Sequence, residues 1–340
     1  MVKKVLLILM PVLLLASQPS LVSSTKLVSD ANRSYSPNRE FSVLTEYSQG
    51  NSEFVPFERF TLQDKSGATI YSKSKTTHTL LDVADNGVVV GIDGDGPISG
   101  RAKLHFYAPQ GVERGTAEIG FLSGRAFAVP FPLGEGKGEG SYCVNDGRNG
   151  LRVFTLQGKE RYNLGKCNSF AVSGDGKAIA LATDDAVSVF HPIFNPQSSI
   201  YNLQSSIRIP LSSPFVRQMK FSADGTLLGI ADRKRLALHR TSDVSLVFEY
   251  IEQQPERNFI SLDIAPDNSL VVATLDEDRG RGSSDRHQRG FIYGFDPQGT
   301  RIWQNEISYT NWNAYVPQVN FGPVRTFRVL TAEATLEYQY

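Results

Sequence analysis

Cysteine, methionine and tryptophan are scarce in this chain of 340 residues, and neither sign of charge is in excess. The sequence contains 2 Cys, 3 Met and 2 Trp. Its 35 basic side chains match its 35 acidic ones, which argues against a dedicated nucleic-acid-binding protein, since such proteins carry a basic surplus. Hydrophobic residues nevertheless make up 40% of the chain and charged residues 21%, the proportions of a folded globular protein.

Two cysteines are too few for a disulfide-rich scaffold, and their spacing fits no Cys/His zinc motif. An oxidising compartment would permit a disulfide between Cys143 and Cys167. Two separate buried thiols are the alternative, and the sequence does not decide between them.

Long hydrophobic runs are also absent, apart from one near the N-terminus. Residues 5–16 are apolar, interrupted only by Pro11, and follow Lys3 and Lys4. This run is shorter than the roughly 20 residues that a transmembrane helix needs, and it is typical of a secretory signal. We therefore expect residues 1–24 to be a signal peptide cleaved before Thr25. The mature protein would then be secreted or periplasmic with no membrane span, and an uncleaved N-terminal anchor is the alternative.

A repeated pattern fills the rest of the chain. In each copy an alternating apolar strand, a small polar turn and a second apolar strand end at an acidic residue, as in residues 173–184 (SGDGKAIALATD) and 222–232 (SADGTLLGIAD). These acidic residues recur at intervals of 38 to 57 positions. They are Glu46, Asp93, Asp146, Asp184, Asp232, Asp276 and Glu333.

Each acidic residue is followed by a third strand, a turn such as PQG or DKSG, and a fourth strand. Four-stranded repeats of roughly 40–50 residues are typical of β-propeller blades. We predict an all-β, seven-bladed β-propeller of antiparallel four-stranded blades as the single domain of residues 25–340, with six or eight blades as the alternatives. The last unit lacks a fourth strand. Residues 25–29 could supply it, which would form a clasp between the N-terminal strand and the C-terminal blade.

Several segments carry a resemblance to known propellers. LATDDAVSVFH (181–191) and GIADRKRLALH (229–239) have an Asp in the turn between the second and third strands, and Phe295-Asp296 stands where a Trp-Asp pair often ends the third strand. In these features the chain resembles the WD-repeat seven-bladed propellers. Residues 290–304 (GFIYGFDPQGTRIWQ) also resemble a quinoprotein-type blade. The resemblance implies a propeller fold without fixing an activity.

The acidic series has two interpretations. The seven carboxylates could form a site for a cation or a basic ligand on one rim, or each could accept hydrogen bonds from backbone N–H groups of its own turn, which we favour. A calcium site is a second hypothesis for the same loops. It would use oxygen ligands from Asp93, Asp95, Asp276 and Asp278. Polar turns are the favoured alternative, and no other cofactor is indicated.

The segment 309–315 (YTNWNAY) is the predicted binding surface, because large aromatic side chains and amides are typical of recognition sites. Its predicted contact residues are Tyr309, Trp312, Asn313 and Tyr315. Trp312 could equally be wedged between two blades. The five histidines are predicted to be satisfied strand residues in different units rather than metal ligands or bases. They are His78, His105, His191, His239 and His287.

These observations favour an exported, non-catalytic binding or scaffold propeller that recognises a protein, a peptide or a glycan on its loop face. The sequence contains none of the common nucleophile, zinc-protease or phosphate-binding motifs, and no catalytic residue is assigned. An extracytoplasmic propeller enzyme, such as a lyase, a hydrolase or a quinoprotein-like dehydrogenase, is the alternative. A purely structural role in the cell envelope is a third hypothesis.

Overall fold

The structure, a computed structural model, describes most of the chain after residue 18. The described residues are 19–26, 33–36, 40–46, 56–84, 86–93, 101–120, 122–128, 141–146, 149–173, 178–192, 203–211, 215–277, 287–310, 317–322, 325–331 and 334–340. Among them every regular element is a β-strand. A helix of the length and hydropathy needed to cross a bilayer is not found in this part of the chain.

Twenty-eight strands are present in these ranges. In chain order they are β1 (Ser20–Lys26), β2 (Arg33–Tyr35), β3 (Phe41–Glu46), β4 (Arg59–Asp64), β5 (Thr69–Ser74), β6 (His78–Val83), β7 (Val89–Asp93), β8 (Ala102–Tyr107), β9 (Glu113–Ile119), β10 (Leu122–Ala128), β11 (Ser141–Asp146), β12 (Gly150–Thr155), β13 (Glu160–Asn163), β14 (Ser169–Val172), β15 (Ile179–Ala182), β16 (Ala186–Pro192), β17 (Leu203–Pro210), β18 (Val216–Phe221), β19 (Leu227–Asp232), β20 (Arg235–Arg240), β21 (Leu246–Ile251), β22 (Arg257–Ile264), β23 (Val271–Glu277), β24 (His287–Phe295), β25 (Arg301–Thr310), β26 (Gln318–Phe321), β27 (Thr326–Leu330) and β28 (Ala334–Gln339).

The strands form seven antiparallel sheets of four strands each, which we call blades 1 to 7. Blades 1 to 6 are β2–β5, β6–β9, β10–β13, β14–β17, β18–β21 and β22–β25, each in simple sequential order. Blade 7 consists of β26, β27 and β28 with β1 at its outer edge. The prediction of a seven-bladed propeller of four-stranded blades is therefore confirmed.

The first strands of successive blades lie side by side, as β14, β18, β22 and β26 do. The second and third strands are buried almost throughout, because a neighbouring blade covers each face. β7 and β15 accordingly read as continuous apolar runs. The outer strands β5 and β9 alternate between exposed and partly buried positions, since only part of their surface is covered.

Six apolar clusters fill the spaces between consecutive blades from blade 1 to blade 7. Because successive side chains point to opposite faces of a strand, a blade with two neighbours contributes residues to two clusters. Val89 faces the cluster shared with blade 1, whereas the next residue, Val90, faces the cluster shared with blade 3. Each large side chain that such a cluster buries fully stabilises the fold by about 1.5–3 kcal/mol.

The turns between third and fourth strands explain the recurring Asp and Gly. In blade 6, Asp296 Oδ1 accepts hydrogen bonds from the backbone of Gln298 at 3.0 Å and Thr300 at 2.8 Å. Gly299 closes this turn with a φ of 83°, a region that favours glycine. A Cβ atom there would lie 2.4 Å from Phe248 Cβ of blade 5, so this glycine also lets the two blades approach.

The strand that completes blade 7 begins before the expected position. Ser20–Lys26 pairs with β28, from Ser20 opposite Gln339 to Lys26 opposite Ala334. The sequence analysis placed this strand at residues 25–29, of which 27–29 lie outside the described residues. Cleavage before Thr25 would leave only two residues of β1, so the strand is compatible with a leader only if cleavage precedes Ser20.

We predict that residues 20–26 contribute substantially to stability, because β1 supplies the outer backbone ladder of blade 7. A chain that starts at residue 27 should melt about 10 °C below a control chain that starts at residue 19, as expected for a loss of several kcal/mol in a protein of this size. Differential scanning calorimetry measures the difference. Equal melting temperatures would show that β1 is dispensable.

A second prediction concerns the link between blades 5 and 6. Asp224 accepts hydrogen bonds from Ser222 Oγ at 2.6 Å and from Asn268 Nδ2 of blade 6 at 2.9 Å. The hydrogen bond from Ser222 is the largest of the interactions that lower the pKa of Asp224, from 3.8 to about 2. Because the pKa is lower in the folded state, the carboxylate stabilises the fold above the unfolded-state pKa, and this stabilisation is lost as the pH falls towards 2.

Asp224→Asn should therefore lower the urea midpoint at pH 7, with the difference from the wild type shrinking between about pH 4 and pH 2. Urea denaturation followed by circular dichroism at several pH values checks this. A difference that stays constant over the whole range would contradict the assignment.

Candidate functional site

One face of the propeller carries the acidic residues that mark the repeats. In an antiparallel four-stranded blade the turn between the second and third strands lies on the same side as the connection to the next blade. Glu46, Asp93, Asp146, Asp232 and Asp276 lie at or near the ends of second strands, and Asp184 follows one. We call this side the turn face. Glu333 lies outside the described residues.

Asp232 behaves as the turn-cap hypothesis predicts. Its Oδ1 accepts hydrogen bonds from the backbone N–H groups of Lys234 and Arg235, both at 2.9 Å. The carboxylate is thereby fixed within its own turn, so its position in the repeat reflects a structural role.

Three other carboxylates also bind the segment that leads into their own blade. Asp146 Oδ2 accepts from the backbone N–H of Gly120 at 2.9 Å, and Asp184 Oδ1 accepts from Asn168 Nδ2 at 2.7 Å. The third is Asp93, whose Oδ2 accepts from the Thr77 hydroxyl at 2.6 Å. These contacts could not be predicted from the sequence, because the partner of Asp146 is a backbone amide, that of Asp184 is a side-chain amide and that of Asp93 is a hydroxyl. They attach the turn to the connection between blades.

A cleft of about 1050 Å³ opens on the turn face across blades 3, 4 and 5. The residues that line it come from the end of β11, the turns after β15 and β19, the connections between blades and the start of β18, so they are far apart in sequence. They are Asn145, Cys167, Asn168, Asp184, Phe215, Val216, Arg217 and Arg233.

Phe215 is the exposed aromatic residue of this cleft, with 61% of its surface accessible. The guanidinium carbon of Arg233 lies 5.6 Å from the centre of its ring, which places a cation over the aromatic face. Arg217 follows two residues later on the same edge. None of these three residues could be singled out from the sequence, because one Phe and two Arg that belong to no motif carry no signature.

The two cysteines are free thiols, so the disulfide alternative is not realised in the structure. Cys143 is buried in β11 within the apolar cluster between blades 3 and 4, and Cys167 packs against the edge of that cluster beside the cleft. Burial raises the pKa of Cys143 to about 12 and that of Cys167 to about 11. Each thiol therefore stays protonated at neutral pH and packs as a small apolar group.

The structure describes two of the four hypothesised calcium ligands. Asp93 ends β7, and Asp276 is the penultimate residue of β23 in a different blade. Asp95 and Asp278 lie outside the described residues, so the calcium hypothesis stays a prediction. The described contacts of the Asp93 carboxylate are two histidines and a threonine hydroxyl rather than a set of oxygen ligands for calcium.

The prediction that the histidines lie in different units is wrong for His78 and His105. Both belong to blade 2, where His78 begins β6 and His105 lies in β8, and their ring centres are 5.0 Å apart. Strand β7 lies between them in the sequence. Because β7 pairs antiparallel with both β6 and β8, the two histidines lie near each other in the blade. Asp93 contacts both rings.

The predicted binding segment falls mostly outside the described residues. Trp312, Asn313 and Tyr315 are not described, and for Tyr309 the structure gives only its backbone position in β25, opposite Gln288. The segment joins β25 to β26, a connection of the same class as those that supply Cys167 and Phe215 to the cleft. Its role in binding stays a prediction.

Comparison with known proteins defines the fold class. No family model and no curated protein matches this chain. Among solved structures, Kluyveromyces lactis Hsv2p is similar with a TM-score of 0.56 and 8% identity, over 88% of each chain. The Myceliophteria thermophila Cps50 (Swd1) β-propeller domain has a TM-score of 0.56 and 8% identity, over 95% of this chain and 100% of that one. The Dos1 propeller has a TM-score of 0.56 and 10% identity, over 94% and 95%.

Together with the seven four-stranded sheets, these similarities establish the architecture, a seven-bladed β-propeller. At such low identity they show the fold alone. A ligand must be argued from the residues of the turn face.

The state of the two thiols gives a prediction of its own. Protein unfolded without reductant should react with two equivalents of Ellman's reagent. In the folded state at pH 7.5, Cys167 should react before Cys143, because Cys143 is completely buried whereas Cys167 borders the cleft. Peptide mapping after alkylation identifies the site. An unfolded chain with no reactive thiol would show that the disulfide forms.

Proposed function

We propose that this protein is an exported binding propeller whose cleft on the turn face holds a segment of a partner protein with an acidic side chain next to an apolar one. The observation that carries this proposal is the exposed Phe215 beside Arg217 and Arg233 in that cleft.

Phe215 and Arg233 have the composition of a binding hot spot. Aromatic residues and arginine dominate the binding energy of protein interfaces, because they bury large areas and also offer polar or cationic groups. The packing of Arg233 over the ring pre-arranges both side chains. Less conformational entropy is then lost when a partner binds.

The charge of the cleft selects an acidic partner. Among the described lining residues, Arg217 and Arg233 face one acidic side chain, that of Asp184, whose Oδ1 already accepts a hydrogen bond from Asn168. Arginine binds carboxylates through two parallel hydrogen bonds, which gives direction as well as affinity. A cleft of this volume, built from three blades, exceeds most pockets for small molecules, so it suits a length of polypeptide chain.

The same proposal includes a larger contact surface and export of the protein. Tyr309, Trp312, Asn313 and Tyr315 would extend the contact surface, since β25 ends and β26 begins at the turn face. Export would follow from the predicted signal peptide, with cleavage before Ser20 so that β1 is retained.

A peptide display selection tests the ligand class. Random dodecapeptides selected on the wild-type protein should be enriched in Asp or Glu beside an apolar residue. Synthetic copies of the selected peptides should bind Phe215→Ala and Arg233→Gln about 10-fold or more weakly than wild type in isothermal titration calorimetry. The affinity should also fall as salt is raised, because the contact is ionic.

Arg240→Gln is the matched control, because Arg240 is an exposed arginine of the same blade at the end of β20 away from the turn face. Its peptide affinity should equal that of the wild type. Peptides that bind all variants equally, or a selection without enrichment, would overturn the proposal. A parallel array of acidic oligosaccharides that gave the only binding would replace the peptide with a glycan.

A further inference from the structure

Three ligand-bearing side chains converge on the face of blade 2 that packs against blade 1. The register places His78 opposite Asp93, and His105 opposite Gly91. Asp93 and Gly91 are two positions apart in β7 and therefore share one face of the strand. His78, Asp93 and His105 are consequently neighbours on a single surface, although 27 positions separate the two histidines.

Gly91 provides the space in which the two imidazoles meet. A Cβ atom at this position would lie 2.5 Å from Cδ2 and 2.6 Å from Nε2 of His78. The ring of His78 can therefore lie across β7 only because residue 91 has no side chain. This arrangement brings the two ring centres to 5.0 Å.

The ligand atoms of the three residues all lie within 4.8 Å of one another. His78 Nδ1 contacts Asp93 Oδ1, and His105 Nε2 lies 3.1 Å from Asp93 Oδ2. Two atoms bound to one tetrahedral zinc ion at about 2.0–2.1 Å are separated by a little over 3 Å, so the second spacing is that of a ligand pair.

The two ring nitrogens of His105 provide independent support for a bound ligand at this position. Both are buried, and neither makes a hydrogen bond to any residue that the structure describes. The contact of Nε2 with Asp93 is short but does not have the direction of a hydrogen bond. Buried polar atoms in native proteins normally have a partner, so one is to be expected here.

The other nitrogen of each histidine faces a group that can orient it. His78 Nε2 lies 2.8 Å from the hydroxyl of Tyr107, and His105 Nδ1 lies 3.5 Å from Glu113 Oε1. The contact of His78 is a hydrogen bond of the kind that commonly orients a metal-binding histidine, whereas Glu113 lies at ion-pair distance from His105 and would make the equivalent contact when an ion is bound. The Thr77 hydroxyl holds the carboxylate of Asp93 in the same way.

We propose that His78, Asp93 and His105 bind one zinc-class divalent ion between blades 1 and 2. Two imidazoles and one carboxylate suit zinc and the neighbouring first-row metals, whereas calcium and magnesium prefer oxygen ligands alone. The side chain of His78 is 3% exposed and that of Asp93 is 23% exposed. The ion would therefore be enclosed on the side of the histidines, with water as a fourth ligand from the side of Asp93.

Metal binding by full-length, tag-free protein tests the proposal. After treatment with a chelator and its removal, the wild type should bind one equivalent of Co²⁺ with the visible absorption of a four-coordinate site. One equivalent of Zn²⁺ should displace it, and Ca²⁺ should not. Zn²⁺ should also raise the melting temperature, because an ion that binds only the folded state stabilises it.

Variants assign the ligands. Asp93→Asn and His105→Gln should abolish the cobalt spectrum. Glu113→Gln should weaken zinc binding about 10- to 100-fold through its effect on His105. The matched control is His239→Gln, because His239 is a third-strand histidine of blade 5 whose Nδ1 lies 3.0 Å from the carbonyl oxygen of Val244. It should bind zinc like the wild type.

Several outcomes would overturn the site. They are a wild type that binds no stoichiometric zinc or cobalt, binding that survives His105→Gln, and binding of calcium alone. If the wild type binds no metal, or if His105→Gln binds it unchanged, then the three residues form a polar cluster that does not bind metal. If circular dichroism shows that Asp93→Asn or His105→Gln does not fold, Glu113→Gln decides, since Glu113 is 41% exposed at its side chain and its replacement leaves the core intact.

Discussion

Apolar contact between neighbouring sheets is the constraint on which the rest of this structure depends. A single four-stranded blade has two apolar faces and cannot bury either by itself. In this chain the blades are repeated and packed together, so that each of the six described clusters contains residues of two consecutive blades. The burial of the second and third strands, the glycines at points of close approach and the position of the acidic turns all follow from that stacking.

This constraint also determines where variation is tolerated. Some residues of the connections between blades and of the turns are exposed on the surface, so packing constrains their side chains less. Phe215 precedes β18 and Arg233 lies in the turn after β19, while Arg217 is near the start of β18 and Asp93 is at the end of β7. The same scaffold therefore carries the cleft over blades 3 to 5 and a separate polar cluster between blades 1 and 2.

The repeat itself could be predicted from sequence, because strand alternation and turn chemistry are local properties. The regular acidic residues and the Asp-to-Gly turns, such as the one closed by Gly299, located the blades and their number. The cleft could not be predicted, since its lining comes from three blades and includes no motif. The histidine cluster was missed for a related reason. Only the pairing register shows that His105 lies opposite Gly91, and that Gly91 admits the ring of His78.

The pairing of β1 with β28 makes the two ends of the chain members of one sheet, with Ser20 opposite Gln339. The strands of blades 1 to 6 must therefore be synthesised before this sheet can be completed. Blades 1 to 6 consist of consecutive strands and can form progressively, whereas β1 must wait for β28. The composition of β1, SLVSSTK, suits that delay, because an edge strand rich in serine and threonine and ending in lysine is a poor template for aggregation. Completion of the seventh blade is thus the step that separates a growing, open array of sheets from the finished propeller.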